Sequence, residues 1–158
     1  EIQNLLFNEN NEPLQKSINI NINTSLDEIN KQLTIETNIN FLNNLSGNYK
    51  LCLIITEDGI ISPQDDNNIG TIENYEHNDI YRCAVNGTYG ENLTSFNLID
   101  LKDQNEYQAT HTVVFNKNSN INWTNGWNNI TNCSVIGYIY NTESLIIEES
   151  IKKNIIDE

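Results

Sequence analysis

The residues with the most chemical potential lie between positions 57 and 82. Glu57 and Asp58 close an apolar run, Leu51-Cys52-Leu53-Ile54-Ile55-Thr56, and His77 and Arg82 follow further on. Carboxylates beside an imidazole are the material of general acid–base chemistry. That chemistry also needs a second catalytic group, an oxyanion donor or a nucleophile in a workable arrangement, and no such set is recognisable here. Neighbouring residues on a strand point to opposite faces, so at most one of Glu57 and Asp58 turns inward. Arg82, on another strand, is placed to pair with that carboxylate. Such a pair fixes strand register more than it adds stability. His77 reads as a histidine held between strands that sets local geometry. The expectation is a structural polar cluster of Glu57, Asp58, His77 and Arg82, no catalytic residue and no enzyme activity.

Other groups compete for a role. Asp65-Asp66-Asn67-Asn68 is an oxygen-rich loop of the kind that suits Ca²⁺, but it lacks the spacing of a full calcium loop. Asp65 and Asp66 therefore stand as a weak calcium candidate, and no cofactor is expected. Trp123 and Trp127 flank Thr124-Asn125-Gly126, a turn signal. They read either as plugs of a core or as a platform on which a sugar ring stacks. Tyr138 and Tyr140 share one strand face and read as packing partners. His111 reads as a half-buried strand residue. Cys52, Cys83 and Cys133 form no CxxC and have no histidine at metal-ligand spacing. They read chiefly as small buried hydrophobes, with a Cys83–Cys133 bridge as the lesser alternative.

These groups must be held by elements, and the pattern of those elements is period two. Ser17-Ile18-Asn19-Ile20-Asn21-Ile22-Asn23 sets isoleucines on one face and asparagines on the other. Leu33, Ile35, Thr37, Ile39 and Phe41 repeat it. Tyr49 to Thr56 is almost continuously apolar, as a central strand should be. Further strands are expected at 80–85, 107–115, 134–140 and 145–149, the last two joined through Asn141-Thr142-Glu143-Ser144. A single helical turn is expected at Ser25–Ile29, capped by Ser25, and another within Ile69–His77. There is no βαβ spacing, which excludes a doubly wound sheet. The fold class is all-β: an antiparallel β-sandwich, jelly-roll or immunoglobulin-like.

The chain has 158 residues, enough for one domain with its own core. Residues 1–13 read as a linker or N-terminal extension, 14–150 as the sandwich, and 151–158 as a C-terminal tail. The formal charge of −14 repels phosphate backbones and excludes nucleic acid as a partner. No stretch reaches the roughly 18 apolar residues a spanning helix needs. The opening Glu1-Ile2-Gln3 reads as mid-chain, so a fragment of a longer precursor is expected. Asn is roughly a fifth of the residues, a bias expected from AT-rich codons and spread too evenly for a structureless tract.

One stretch is distinctive. Thr56-Glu57-Asp58 leads to Pro63-Gln64, then to Tyr75-Glu76-His77-Asn78-Asp79-Ile80-Tyr81-Arg82 and to Asn86-Gly87-Thr88-Tyr89-Gly90-Glu91. This order resembles the C-terminal region of the outer membrane protein 28 family of Bacteroidetes, which comprises surface lipoproteins and related secreted proteins. Ile139-Tyr140-Asn141 followed by Leu145-Ile146-Ile147-Glu148-Glu149 is similar to that family's closing hairpin. Asp79 departs from it, since relatives often carry a second histidine there. The resemblance covers residues 14 to 150 and rests on 49 to 91. It implies an extracytoplasmic address, at the outer membrane, on the cell surface or secreted. It also implies a surface adhesin or receptor role and, in many members, an upstream thioredoxin-like domain. The reading is a non-catalytic extracytoplasmic binding or adhesion domain whose partner is a protein or glycan at the cell surface. The alternatives are a carbohydrate-binding module using Trp123 and Trp127, or a structural domain accompanying a thioredoxin-like domain.

Overall fold

The structure is a computed structural model and describes residues 16–43, 45, 47–93, 106–114 and 130–156. Ten strands follow in order: β1 (Ile18–Asp27), β2 (Gln32–Phe41), β3 (Tyr49–Glu57), β4 (Ile60–Asp66), β5 (Gly70–His77), β6 (Ile80–Ala84), β7 (Glu91–Asn92), β8 (Glu106–Val114), β9 (Cys133–Asn141) and β10 (Ile147–Asn154). A 3₁₀ turn, Ile130–Asn132, leads into β9. One sheet has the order β1-β2-β8. The second has the order β10-β9-β3-β6, with β7 also paired to β3. All pairings are antiparallel.

Alternation explains why the two sheets close on each other. Ile18, Ile20 and Ile22 of β1 and Leu33, Ile35 and Ile39 of β2 are buried, while Asn19, Asn21 and Asn23 are exposed. From the other sheet Leu51, Leu53, Ile55, Val135 and Ile139 meet them. Each such side chain contributes about 1.5–3 kcal/mol by leaving water. Gly137 matters here: a Cβ at that position would press against the Ile22 and Ile20 methyls and Leu53. A bare backbone on β9 is what lets β1 lie close. The result is a β-sandwich, in agreement with the all-β antiparallel expectation.

Three local expectations are corrected. Ser25 caps no helix, because β1 continues to Asp27. The reversal is made by Asp27, whose Oδ1 accepts from the Ile29 and Asn30 amides, both at 3.0 Å. Residues 69–77 hold no helical turn. Gly70–His77 is strand β5, turned out of β4 by Asp66, whose Oδ1 accepts from the Asn68 amide at 2.8 Å. In both places an Asx turn outcompetes a short helix for the same backbone donors. The chain also does not become a tail at 151. β10 runs to Asn154, Ile155 is buried, and the Ile155 amide donates to the Cys133 carbonyl at 3.0 Å. Thr24 Oγ1 lies 3.2 Å from the Ile155 carbonyl oxygen, tying β1 to the end of β10.

The hairpin β4–β5 forms a separate two-stranded sheet. It leaves the sandwich between β3 and β6 and carries Asp65, Asp66, Glu73, Glu76 and no Lys or Arg.

Candidate functional site

The acidic pair at the end of β3 divides as alternation requires. Glu57 turns inward with Ile55 and Leu53, and its side chain is 2% exposed. Burying a lone carboxylate is costly, so a partner is obligatory. Arg82 supplies it: Nη2 lies 2.6 Å and Nε 2.8 Å from Glu57 Oε2, with the arginine side chain 11% exposed. A β-bulge aims the arginine. Ile55 pairs with Cys83 and Thr56 with Tyr81, so Arg82 is the extra residue on β6 and turns inward beside Cys83.

Asp58 belongs to a different assembly. Its Oδ1 accepts from the Asp79 amide at 2.6 Å. Lys152 Nζ donates to Asp58 Oδ2 at 3.0 Å and to Asp79 Oδ1 at 2.6 Å. Asp79 has φ 54°, a left-handed conformation that Asp tolerates. The hydrogen bond from the Asp79 amide holds the Asp58 carboxyl below its usual range, and burial only partly opposes this. The bond to Asp79 raises Lys152. The clamp ties the β3–β4 and β5–β6 junctions to β10. Lys152 was hidden from sequence reasoning because it falls in the presumed tail.

His77 joins neither group. It stands opposite Ile60 at the base of the β4–β5 hairpin, with its ring edge-on to Tyr75 at 4.8 Å. Its Nε2 is buried without a hydrogen-bond partner among the described residues. Glu57, Asp58, His77 and Arg82 therefore form a buried pair, a surface clamp and a separate histidine. Asp65 and Asp66 are occupied by the turn, with Asp65 Oδ1 accepting from Thr71 Oγ1 at 2.7 Å. Among the described residues no group of three or more His, Cys, Asp or Glu could hold a metal ion. Trp123 and Trp127 lie outside the described residues.

The Asn-Gly-x-x-Gly stretch has a structural meaning. Between β6 and β7 the ladder on β3 is interrupted, and the Asn86 carboxamide fills the gap. Its Oδ1 accepts from the Leu53 amide and its Nδ2 donates to the Leu51 carbonyl, both at 2.9 Å. One side chain thus takes the place of a backbone unit. Gly90 has φ 69°, and a Cβ there would overlap the Leu51 carbonyl oxygen and the Cys52 sulfur. Only glycine fits.

The three cysteines are buried and form no disulfide. Cys83 pairs with Ile55 and Cys133 with Glu57, so β3 runs between them. Two strand spacings, about 9.5 Å, exceed the roughly 7 Å limit for a disulfide. The Cys83–Cys133 bridge is therefore excluded by the fold. Burial pushes the two thiols up, Cys83 to about 11 and Cys133 to about 12. On the far side of the core, His111 Nε2 lies 3.2 Å from Glu91 Oε2 and links β8 to β7. Sequence reading missed this cross-sheet pair because Glu91 sits in a two-residue strand.

The outward face of the five-stranded sheet is aromatic. Register aligns Lys50 with Tyr140, Cys52 with Tyr138, and Thr56 with Tyr81. The Tyr138 and Tyr140 rings are 6.2 Å apart, and Tyr140 donates its hydroxyl to the Tyr89 carbonyl at 3.1 Å. Tyr138 is pushed up to about 12, first by its hydrogen bond to Cys52 and then by burial. Tyr89 is 75% exposed, and Leu145, Ile146 and Ile147 lie open beside Tyr140. No outward position of β3 or β9 carries a carboxylate, although the chain has 22 acidic residues.

The described residues thus form an all-β antiparallel sandwich with buried polar braces and an aromatic outer face on one sheet. In a protein-family comparison, residues 4–158 match the model of outer membrane protein Omp28. The chain belongs to the Omp28 family, and the domain is an extracytoplasmic one of the outer membrane. Its fold is similar to that of a domain of the outer membrane lipoprotein Omp28 from Porphyromonas gingivalis, a member of the Bacteroidetes. The TM-score is 0.58 at 15% identity, with 88% of each chain covered. No curated protein matches the sequence. No helix among the described residues is long and apolar enough to cross a membrane.

Proposed function

We infer that this is a non-catalytic adhesion domain that binds a protein ligand through the outer face of the five-stranded sheet. The observation that carries the reading is the cluster of Tyr81, Tyr89, Tyr138 and Tyr140 over β3 and β9 positions that carry no carboxylate, continued by exposed Leu145, Ile146 and Ile147. Exposed apolar patches of this kind mark interaction sites. Tyrosine enrichment with depletion of Asp and Glu is the composition of an interface core. The titratable residues support the non-catalytic part: Glu57 is sealed in its ion pair, and Asp58 is engaged at the surface by Lys152 and the Asp79 amide. Where the full protein carries a thioredoxin-like domain upstream, this module would display it at the surface.

Surface plasmon resonance against immobilised extracellular-matrix proteins, run beside a glycan array, tests the reading. Tyr89→Ala/Tyr140→Ala should weaken a protein signal at least tenfold while the circular dichroism spectrum stays unchanged. A folded domain that finds no protein ligand, or one whose signal survives the double substitution, sinks it. A glycan signal lost with Trp127→Ala would favour the carbohydrate-binding module instead.

A further inference from the structure

The opposite face of the sandwich is built differently. Outward positions of β1, β2 and β8 align in rows, Asn21 with Asn38 and Gln108, and Asn23 with Glu36 and Thr110. From these rows Asn23, Glu36, Asn38, Gln108 and Thr110, together with Thr37 and Ala109, line a shallow, open trough of about 290 Å³. That volume is at the lower end of what holds a small ligand. The outward positions of the three strands include Asp27, Glu36 and Glu106 but no Lys, Arg or aromatic residue.

We propose that this trough is a subsite for one unit of a neutral glycan chain, in addition to the protein-binding face. Its groups select the ligand chemistry. Glu36, Glu106 and the net charge of −14 repel an anion. The carboxamides of Asn23, Asn38 and Gln108 each offer two N–H donors and a carbonyl oxygen with two lone pairs, and an ammonium group has nothing with which to accept from those donors. A sugar hydroxyl both donates and accepts, so it satisfies both halves of each amide and the Thr110 hydroxyl. One acceptor waits for such a donor. Asn38 Nδ2 donates to Glu106 Oε1, which fixes the amide orientation and leaves Asn38 Oδ1 buried with no partner among the described residues. Buried oxygens are seldom left so. The flat trough admits a chain passing through it rather than an enclosed monosaccharide. With no aromatic ring to stack on, the affinity is weak and depends on many units in succession.

Affinity electrophoresis of the folded domain through gels containing dextran, soluble starch, galactomannan or arabinoxylan tests the assignment, with polygalacturonate as the anionic control. At least one neutral polymer should retard the domain and polygalacturonate should not. Glu36→Ala/Gln108→Ala should cut the retardation at least tenfold. Both positions are exposed, and an unchanged melting curve confirms that the fold is intact. Tyr89→Ala/Tyr140→Ala should leave it unchanged, so the glycan trough and the protein-binding face fail independently. The assignment is overturned if no neutral polymer retards the domain, or if polygalacturonate binds as well as the neutral polymers. Retardation that survives Glu36→Ala/Gln108→Ala, or that disappears with the tyrosines, also overturns it.

Discussion

The two sheets of this sandwich solve the same packing problem in opposite ways. The β1-β2-β8 sheet is regular: isoleucine and leucine turn in, Asn, Thr and Gln turn out, and no register shift interrupts its pairing. The five-stranded sheet is irregular. It carries a bulge at Arg82 and another between Ile147 and Glu149, a side chain standing in for backbone at Asn86, and a buried ion pair. Its outer face is aromatic where the other is polar. A sheet whose period alone specifies it is free to be uniform outside. A sheet that departs from the period must brace every departure, and those braces sit where this sequence is most distinctive.

The comparison is broken most forcefully at the ion pair. Arg82→Ala leaves Glu57 buried without its cation and should cost about 3–5 kcal/mol, read by urea denaturation. Glu57→Leu/Arg82→Met, which removes both charges, should recover most of that loss. If the single substitution costs under about 1 kcal/mol, the pair is no brace. Next comes Gly90→Ala, where the new methyl meets Leu51 and Cys52 and the backbone is left-handed. A loss of about 2–4 kcal/mol is expected there. Asn86→Ala should follow at about 1–3 kcal/mol, because the Leu53 amide and Leu51 carbonyl both lose their partner. Hydrogen exchange at the Leu53 amide should rise sharply in that variant. Unchanged protection would show that water replaces the carboxamide at no cost.

This division also marks what could be read in the sequence. The Ile-Asn alternation of β1 and the apolar run of β3 were legible because period two leaves one solution when one face is buried. That at most one of Glu57 and Asp58 turns inward, with Arg82 as its partner, followed from the same logic. Which of the two turns inward, the isolation of His77 and the part played by Lys152 did not. They depend on where the β4–β5 hairpin leaves the sheet and on how far β10 continues. No local pattern in Ser25–Ile29 or Ile69–His77 distinguishes a helical turn from an Asx turn, since both begin with a side chain capping free amides. The aromatic face was missed for a different reason. Alternation alone puts Tyr138 and Tyr140 on one side, but Tyr81 and Tyr89 join them only through the bulge and the Asn86 plug.

The smallest effects separate the surface clamp from the polar face. The Asp58 carboxyl is held below 3.8, chiefly by the Asp79 amide. A lowered carboxyl adds stability above its unfolded value and loses it as the pH falls through the folded one. At pH 7 Asp58→Asn should therefore cost about 0.5–1 kcal/mol, after allowance for solvent screening. The gap from the parent should close below pH 3.8. Lys152 is raised above 10.5, so its share persists at neutral pH and disappears only in strong alkali. Melting curves of parent and variant from pH 3 to 8 would decide it, because a gap that stays constant into acid leaves the clamp no electrostatic role. On the polar face the corresponding change is smaller still. Asn21→Thr keeps an exposed, strand-compatible side chain and should move stability by no more than about 0.5 kcal/mol either way. A larger loss there would mean that the asparagine rows hold the regular sheet together, and the contrast between the two sheets would then lie in their outer faces alone.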